Sequence, residues 1–229
     1  MCLSPQVDLV AGSAISVFAF DALRRNSNIR TLPIAALPTL FAVHTFTSAV
    51  VWWGLTGRIP NSVATFATDF YILIAFVGLP IFVPMATFLI EPSGWRRISL
   101  AILSATGLIV GGIFLQNILA GNSSAVACDL YIDFHVGGVP YPVSGLYAMV
   151  TCGAMLLSGS RPLFYWGMLN VLAIAFLSYR LSHSLPSLWC FWAACTSCFI
   201  AWFIRSPEAK LLPSNQSAQN FEPIGPLEN

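Results

Sequence analysis

Charge is what this sequence has least of. Charged residues make up 8% of its 229 residues, with ten Lys and Arg against nine Asp and Glu. A soluble domain carries about 25% charged residues, so this composition cannot coat a surface in water. The net charge of +1 also excludes a nucleic-acid-binding protein, because no basic surplus exists to neutralise phosphates. With 57% hydrophobic residues, the chain is predicted to be a polytopic membrane protein.

Lysine and histidine are scarce as well. The one lysine, Lys210, lies near the C-terminus, which excludes a retinal protein because its Schiff base needs a lysine within a span. Of the three histidines only His44 falls inside an apolar run, which excludes a transmembrane bis-histidine haem site. The zinc-protease, serine-hydrolase and P-loop motifs are also missing. The sequence therefore names no cofactor.

Seven apolar runs are long enough, or nearly so, to cross a bilayer of ~30 Å, which takes roughly 20 residues in a helix. They predict an all-α domain over residues 1–205, followed by a polar, proline-containing tail over 206–229. We expect the tail to be disordered and cytoplasmic. The predicted spans are 7–23, 32–54, 68–90, 98–119, 141–158, 162–181 and 186–204.

The basic residues predict the orientation of these spans, because cytoplasmic loops carry the excess of Lys and Arg. Eight basic residues fall on one side of the predicted membrane and two on the other. The eight are Arg24, Arg25, Arg30, Arg96, Arg97, Arg161, Arg205 and Lys210; the two are Arg58 and Arg180. We therefore expect the N-terminus outside and the C-terminus in the cytoplasm of a multi-pass cell-membrane protein.

The loop between the fourth and fifth spans has its own pattern. From Cys128 to His135, polar and apolar residues alternate strictly, which predicts a β-strand with one wet face. Gly137-Gly138 follows as a turn signal. We expect a short strand or hairpin over the outer end of the bundle.

Five residues on the predicted outer half are candidates for function: Cys2, His44, Asp69, His183 and Cys190. His44 is the most informative, because ionisable residues within a span are rare and mark functional sites by default. It is expected to point into the bundle, either hydrogen-bonded to Asn170, Asp69 or water, or ligating a metal or pigment, or handling a proton. Asp69 is interpreted as a helix cap at the start of the third span, and Asp8 likewise on the first.

Several segments are similar in order and content to a bacterial seven-span family of unknown function whose chains begin M-C-F-S. They cover much of residues 1–205 and include Met1-Cys2-Leu3-Ser4, Leu32 through Pro38, Phe41 through His44, Val51 through Leu55, Tyr147 through Ser158 and Ser187 through Ala194. The resemblance implies a bacterial inner-membrane location and a shared outer cluster of Cys2, His44, Trp189 and Cys190. One departure is Ser48, which stands where those relatives carry Glu. The resemblance supplies no activity.

Three functions stay open at this point. The preferred hypothesis is a non-enzymatic accessory subunit or binding protein with an outward polar pocket, whose partners are the bilayer and possible membrane subunits on the tail. The second is a membrane-embedded metal-dependent hydrolase built on His44, Asp69, His183 and Cys2. The third is a small-molecule transporter with spans arranged three, one and three. Cys2 and Cys190 are predicted to lie close together, and one disulfide among Cys2, Cys128 and Cys190 is an open possibility.

Overall fold

The structure is a computed structural model that describes residues 4–128, 131–180, 185–207 and 209, with the backbone alone at 177–180 and 185–191. Within these residues it has seven helices and one two-stranded sheet. The helices are α1 Pro5–Arg25, α2 Leu32–Leu55, α3 Asn61–Ile90, α4 Trp95–Leu119, α5 Tyr141–Leu156, α6 Arg161–Arg180 and α7 Leu185–Arg205.

Helices α1 to α4 are long and apolar enough to cross a hydrocarbon layer. Helix α5 and residues 192–205 of α7 are shorter apolar helices. The chain is thus a mainly helical protein with four candidate membrane spans among its described residues. The predicted tail falls largely outside those residues.

Two of the predicted helix starts are corrected. Ser4 caps α1, its Oγ accepting the Val7 N–H at 3.3 Å, so Asp8 lies in the first turn but is not the cap. Helix α3 begins at Asn61, directly after Pro60, seven residues before the predicted start of the third span. The polar first turns of α3 hid this extension from a search for apolar runs.

Helix α3 contains a π-helical segment at Leu73–Gly78. The Leu79 N–H bonds to the carbonyl of Ile74, and Pro80 has no N–H, so the Ala75 carbonyl lacks a donor within its own helix. The Tyr147 hydroxyl of α5 donates to this carbonyl at 2.9 Å. A neighbouring helix thereby satisfies the backbone group that the proline frees, as membrane helices require.

Close packing of α3 against α4 depends on Gly107. A Cβ at this position would lie 1.9 Å from the Pro80 carbonyl oxygen, and one at Gly111 would lie 2.9 Å from the Ile81 side chain. The Gly107-x-x-x-Gly111 spacing therefore marks a real contact between two helix backbones.

The two strands, β1 Ser123–Ala127 and β2 Ile132–Val136, form an antiparallel hairpin in which Ala125 pairs with Phe134. The hairpin and the alternation on β2 are confirmed, since Ile132 and Phe134 are buried and His135 is exposed. The predicted turn at Gly137-Gly138 is confirmed as well; it follows β2 and leads toward α5, with Gly138 at a φ of 76°. We call this end of the bundle the hairpin end, and the opposite end the arginine end.

Candidate functional site

A buried carboxylate joins α1 to α2 near the hairpin end. The Ser48 hydroxyl on α2 donates to Oδ2 of Asp8 on α1 at 2.6 Å, and both residues are fully buried. A hydrogen bond to an ionised group is about twice as strong as a neutral one. The predicted resemblance expects Ser48 to stand where relatives often carry Glu; in this chain Asp8 brings a carboxylate to Ser48 from another helix.

His44 lies one turn before Ser48 on the same face of α2, since residues four apart are neighbours on a helix. It is 2% exposed, so it points into the bundle as predicted. Its Nε2 atom is buried and has no hydrogen-bond partner among the described residues. The two side chains predicted as partners bond elsewhere: Asn170 accepts from Trp192 Nε1 at 2.6 Å, and Asp69 accepts from Ser123.

The imidazole of His44 forms one end of a column of three rings. It stacks on Tyr71 of α3 with ring centroids 3.8 Å apart, and Tyr71 stacks on Phe134 of β2 at 3.9 Å. Tyr71 is 1% exposed and lies two residues before Leu73, where the π-helical segment begins. We call Asp8, His44, Ser48 and Tyr71 the buried polar cluster.

The hairpin closes this cluster. Its residues Ile132 and Phe134 pack into one apolar core with Trp52, Tyr71 and Ile118. Asp69 lies in the third turn of α3, so the prediction that it caps the helix is wrong. Its carboxylate instead accepts the Ser123 hydroxyl and so attaches β1 to α3. The described cluster is sealed under the hairpin and is not an open cleft.

Three of the predicted site residues, Cys2, His183 and Cys190, lie outside the residues or side chains that the structure describes. Their predicted closeness therefore remains a prediction. Cys128 is a free thiol, which leaves Cys2 and Cys190 as the remaining pair for the suggested disulfide. Its hydrogen bond to the Tyr131 side chain raises the pKa of that phenol, because the bond favours the protonated form. The described residues hold no group of three metal-ligating side chains.

The arginine end is built differently. The buried carboxylate of Glu91, after α3, accepts the Gly159 N–H at 3.1 and 2.9 Å and the Ser158 hydroxyl at 3.4 Å. These contacts tie the loop between α3 and α4 to the loop between α5 and α6. Beside them lies an open cavity of about 510 Å³, lined by Arg96 among others.

Sequence reasoning missed Tyr71 and Glu91 as parts of these sites and assigned Asp8 to a cap. The available signals were the four-residue spacing of His44 and Ser48 and the presence of a carboxylate within the first span. Nothing in the sequence signals which tyrosine stacks on the histidine.

A family model matches residues 1–214, which include both ends of the bundle. The chain belongs to DUF6629, a family of unknown function. No curated protein and no solved structure matches the chain. DUF6629 membership agrees with the predicted resemblance to a family without a known activity; the bacterial origin and the M-C-F-S opening stay predictions.

Proposed function

We propose that this DUF6629 protein is a seven-span, non-enzymatic membrane protein, N-terminus outside, that binds a small cation in its buried polar cluster. The eight-to-two distribution of basic residues supports the orientation. An ion pair supports the odd number of crossings: Asp21 near the end of α1 contacts Arg205 at the end of α7 at 2.6 Å. Helices α1 and α7 thus end on the same side. A role as an accessory subunit stays a prediction.

The observation that carries the binding site is the Nε2 atom of His44. A buried polar atom left without a partner costs about 1–3 kcal/mol, which a bound partner offsets. The buried polar cluster to which it belongs also contains the Asp8 carboxylate and the hydroxyls of Ser48 and Tyr71. Asp8 and His44 can both accept from, or ligate, a positively charged group. Ionisable side chains within membranes pair in this way along ion and substrate pathways.

Binding can be tested by the melting temperature of the purified protein in detergent, with Zn²⁺, with a chelator, and with neither. A ligand at 100 times its Kd stabilises the folded state by about 2.7 kcal/mol, so Zn²⁺ is expected to raise the melting temperature. His44→Gln should abolish the increase, because the amide keeps a hydrogen bond but ligates metals poorly. Thr47→Ala is the control, since its hydroxyl bonds only to the Val43 carbonyl of its own helix.

A wild-type melting temperature that Zn²⁺ leaves unchanged contradicts cation binding. The packing interpretation then gains support if His44→Ala destabilises the protein while His44→Gln does not. Loss of a measured metal with both substitutions, in a protein that stays folded, supports the ligand role.

The orientation has its own test. Cysteine introduced at Ser62, on the exposed start of α3, should react with an impermeant thiol reagent added outside the cell. Cysteine introduced at Ser27, in the loop after α1, should give no more labelling than the parent protein does. Reaction at Ser27 would overturn the proposed topology.

A membrane-embedded zinc hydrolase is the second candidate. The specific observation in its favour is that a carboxylate and an imidazole, both zinc ligands, lie in one buried cluster. A catalytic site needs a third protein ligand, for which Cys2, His183 and Cys190 are the predicted sources. The test is the zinc content of the purified protein. The enzyme is favoured over the simple binding protein if the wild type holds one equivalent of zinc that His44→Ala loses. At least one of Cys2→Ala, His183→Ala and Cys190→Ala should lose it too.

A further inference from the structure

The cavity at the arginine end lies between two helix starts. It has a volume of about 510 Å³, within the 300–1,000 Å³ typical of ligand sites. Its wall includes the first turn of α4, with Gly94, Trp95 and Arg96, and the residues Ser158, Gly159 and Ser160 that precede α6. Helix α4 has no side-chain cap, so its first N–H groups face the loop region without an internal acceptor.

The cavity wall carries one cation and one anion, Arg96 and Glu91. Arg96 forms no ion pair and no side-chain hydrogen bond among the described residues, and its guanidinium lies 5.5 Å from the Trp95 ring. Glu91 also lines the cavity, but it is 5% exposed and both its oxygens accept hydrogen bonds from Ser158 and Gly159. The Glu91 carboxylate keeps its charge but is buried, so Arg96 is the charged group that the cavity wall exposes to a ligand.

An apolar groove adjoins the cavity. Ser160 lines the cavity, and the next residue, Arg161, lines the groove. The groove has a volume of about 350 Å³ and a wall of Tyr165, Trp166, Phe199 and Trp202. From Arg161 it reaches Leu169, eight residues along α6, which is about 12 Å at 1.5 Å per residue. It thus leads from the helix end toward the middle of the bundle.

Arg161 likewise has no ion pair among the described residues. Trp95, 66% exposed, and Trp202, 56% exposed, stand at helix ends where indoles anchor proteins at the membrane surface. An unpaired arginine in a polar cavity, a second arginine at the mouth of an adjoining apolar groove, and flanking exposed indoles match one kind of molecule. It has an anionic headgroup and an acyl chain.

We propose that the cavity and groove together bind an anionic phospholipid of the leaflet at the arginine end, with the phosphate at Arg96 and Arg161 and an acyl chain along Trp166 and Leu169. Basic pockets between helices on the cytoplasmic side bind such headgroups in other membrane proteins. This site is separate from the buried polar cluster, so it does not depend on what that cluster binds.

The test is native mass spectrometry of the full chain in micelles that contain equal amounts of phosphatidylglycerol and phosphatidylcholine. The wild type should retain phosphatidylglycerol preferentially. Arg96→Gln and Arg161→Gln should each reduce that preference about tenfold, the effect of losing one hydrogen bond to a charged group. Arg24→Gln is the matched control, because Arg24 is an exposed arginine at the same end that lines neither space, and it should leave the preference unchanged.

Leu169→Trp keeps every charge and fills the groove, so it should also lose the lipid while its size-exclusion profile stays that of the wild type. Equal retention of the two lipids by the wild type would overturn the proposal. So would an equal loss in Arg24→Gln, which would indicate general surface charge. Displacement by excess inorganic phosphate would instead identify a free-anion site, and a dimer abolished by Leu169→Trp would place a second copy in the groove.

Discussion

At the hairpin end Asp8 and His44 are sealed from solvent, whereas at the arginine end Arg96 and Arg161 line open space. The first arrangement needs partners from other helices, since a buried charge without them is costly. The second needs none, because water and headgroups can solvate the guanidinium groups. The comparison indicates that burial, and not the number of charged residues, separates a sealed polar cluster from an open cavity.

The strongest test of this comparison removes the packing that joins the two ends. Gly107→Ala places a methyl group 1.9 Å from the Pro80 carbonyl oxygen, and overpacking of this kind should lower the free energy of unfolding by about 3 kcal/mol. Unfolding in increasing SDS would measure it. Gly112→Ala, with nothing within 4 Å of its Cβ, is the control and should be neutral. Equal stability of the two variants would contradict the described contact of α3 with α4.

At the hairpin end, Ser48→Ala removes the donor to the buried Asp8 carboxylate. We expect a loss of about 2 kcal/mol in the free energy of unfolding, within the range for hydrogen bonds to charged groups. A double-mutant cycle with Asp8→Ala should show a coupling of similar size. Ser13→Ala on α1 should change little, because its exposed hydroxyl bonds to the Leu9 carbonyl of its own helix. Additive effects of Ser48→Ala and Asp8→Ala would count against the bond.

At the arginine end, Glu91→Ala removes the acceptor of the Gly159 N–H and should cost about 2 kcal/mol, and Glu91→Gln about half of that. The same SDS unfolding assay applies. Because Ser48 and Glu91 lie at opposite ends of the bundle, combining Glu91→Ala with Ser48→Ala should give a sum within about 0.5 kcal/mol. A large deviation from that sum would show that the ends are coupled.

Tyr147→Phe tests the middle of the bundle, between the hairpin end and the arginine end. It leaves the Ala75 carbonyl without its donor and should lower the free energy of unfolding by about 1 kcal/mol. Tyr165→Phe is matched in chemistry but lies on a residue that is 67% exposed, and it should have no measurable effect. If Tyr147→Phe and Tyr165→Phe lower the free energy of unfolding equally, the proposed role of Tyr147 is contradicted.

The smallest effect is expected for Asp21→Asn. Asp21 bonds Arg25 at 2.8 Å and Arg205 at 2.6 Å, but both arginine side chains are more than half exposed. Such pairs contribute less than about 1 kcal/mol and weaken with salt. Unfolding at low and high ionic strength should show the difference shrinking. A loss that salt does not change would mean that the pair is better shielded than its exposure indicates.

Local sequence signals located most of the fold. Apolar runs predicted all seven helices, because burial in hydrocarbon requires long apolar segments. Alternation predicted β2. The start of α3 was missed because its polar first turns carry no apolar signal. The candidate site was predicted in part: His44 and its direction follow from its position within a span, but its neighbours do not.

The sequence by itself predicted helices long and apolar enough to cross a membrane and a buried His44, because both follow from the cost of placing polar groups in hydrocarbon. Only the tertiary structure decided that Asp8 meets Ser48, that Tyr71 stacks on His44, and that Phe134 of the hairpin covers them. It also decided that the Asp69 carboxylate bonds to Ser123 of the hairpin and is not the hydrogen-bond partner of His44. These contacts join residues far apart in the chain, so no local pattern encodes them; the packing of helix against helix selects each pair.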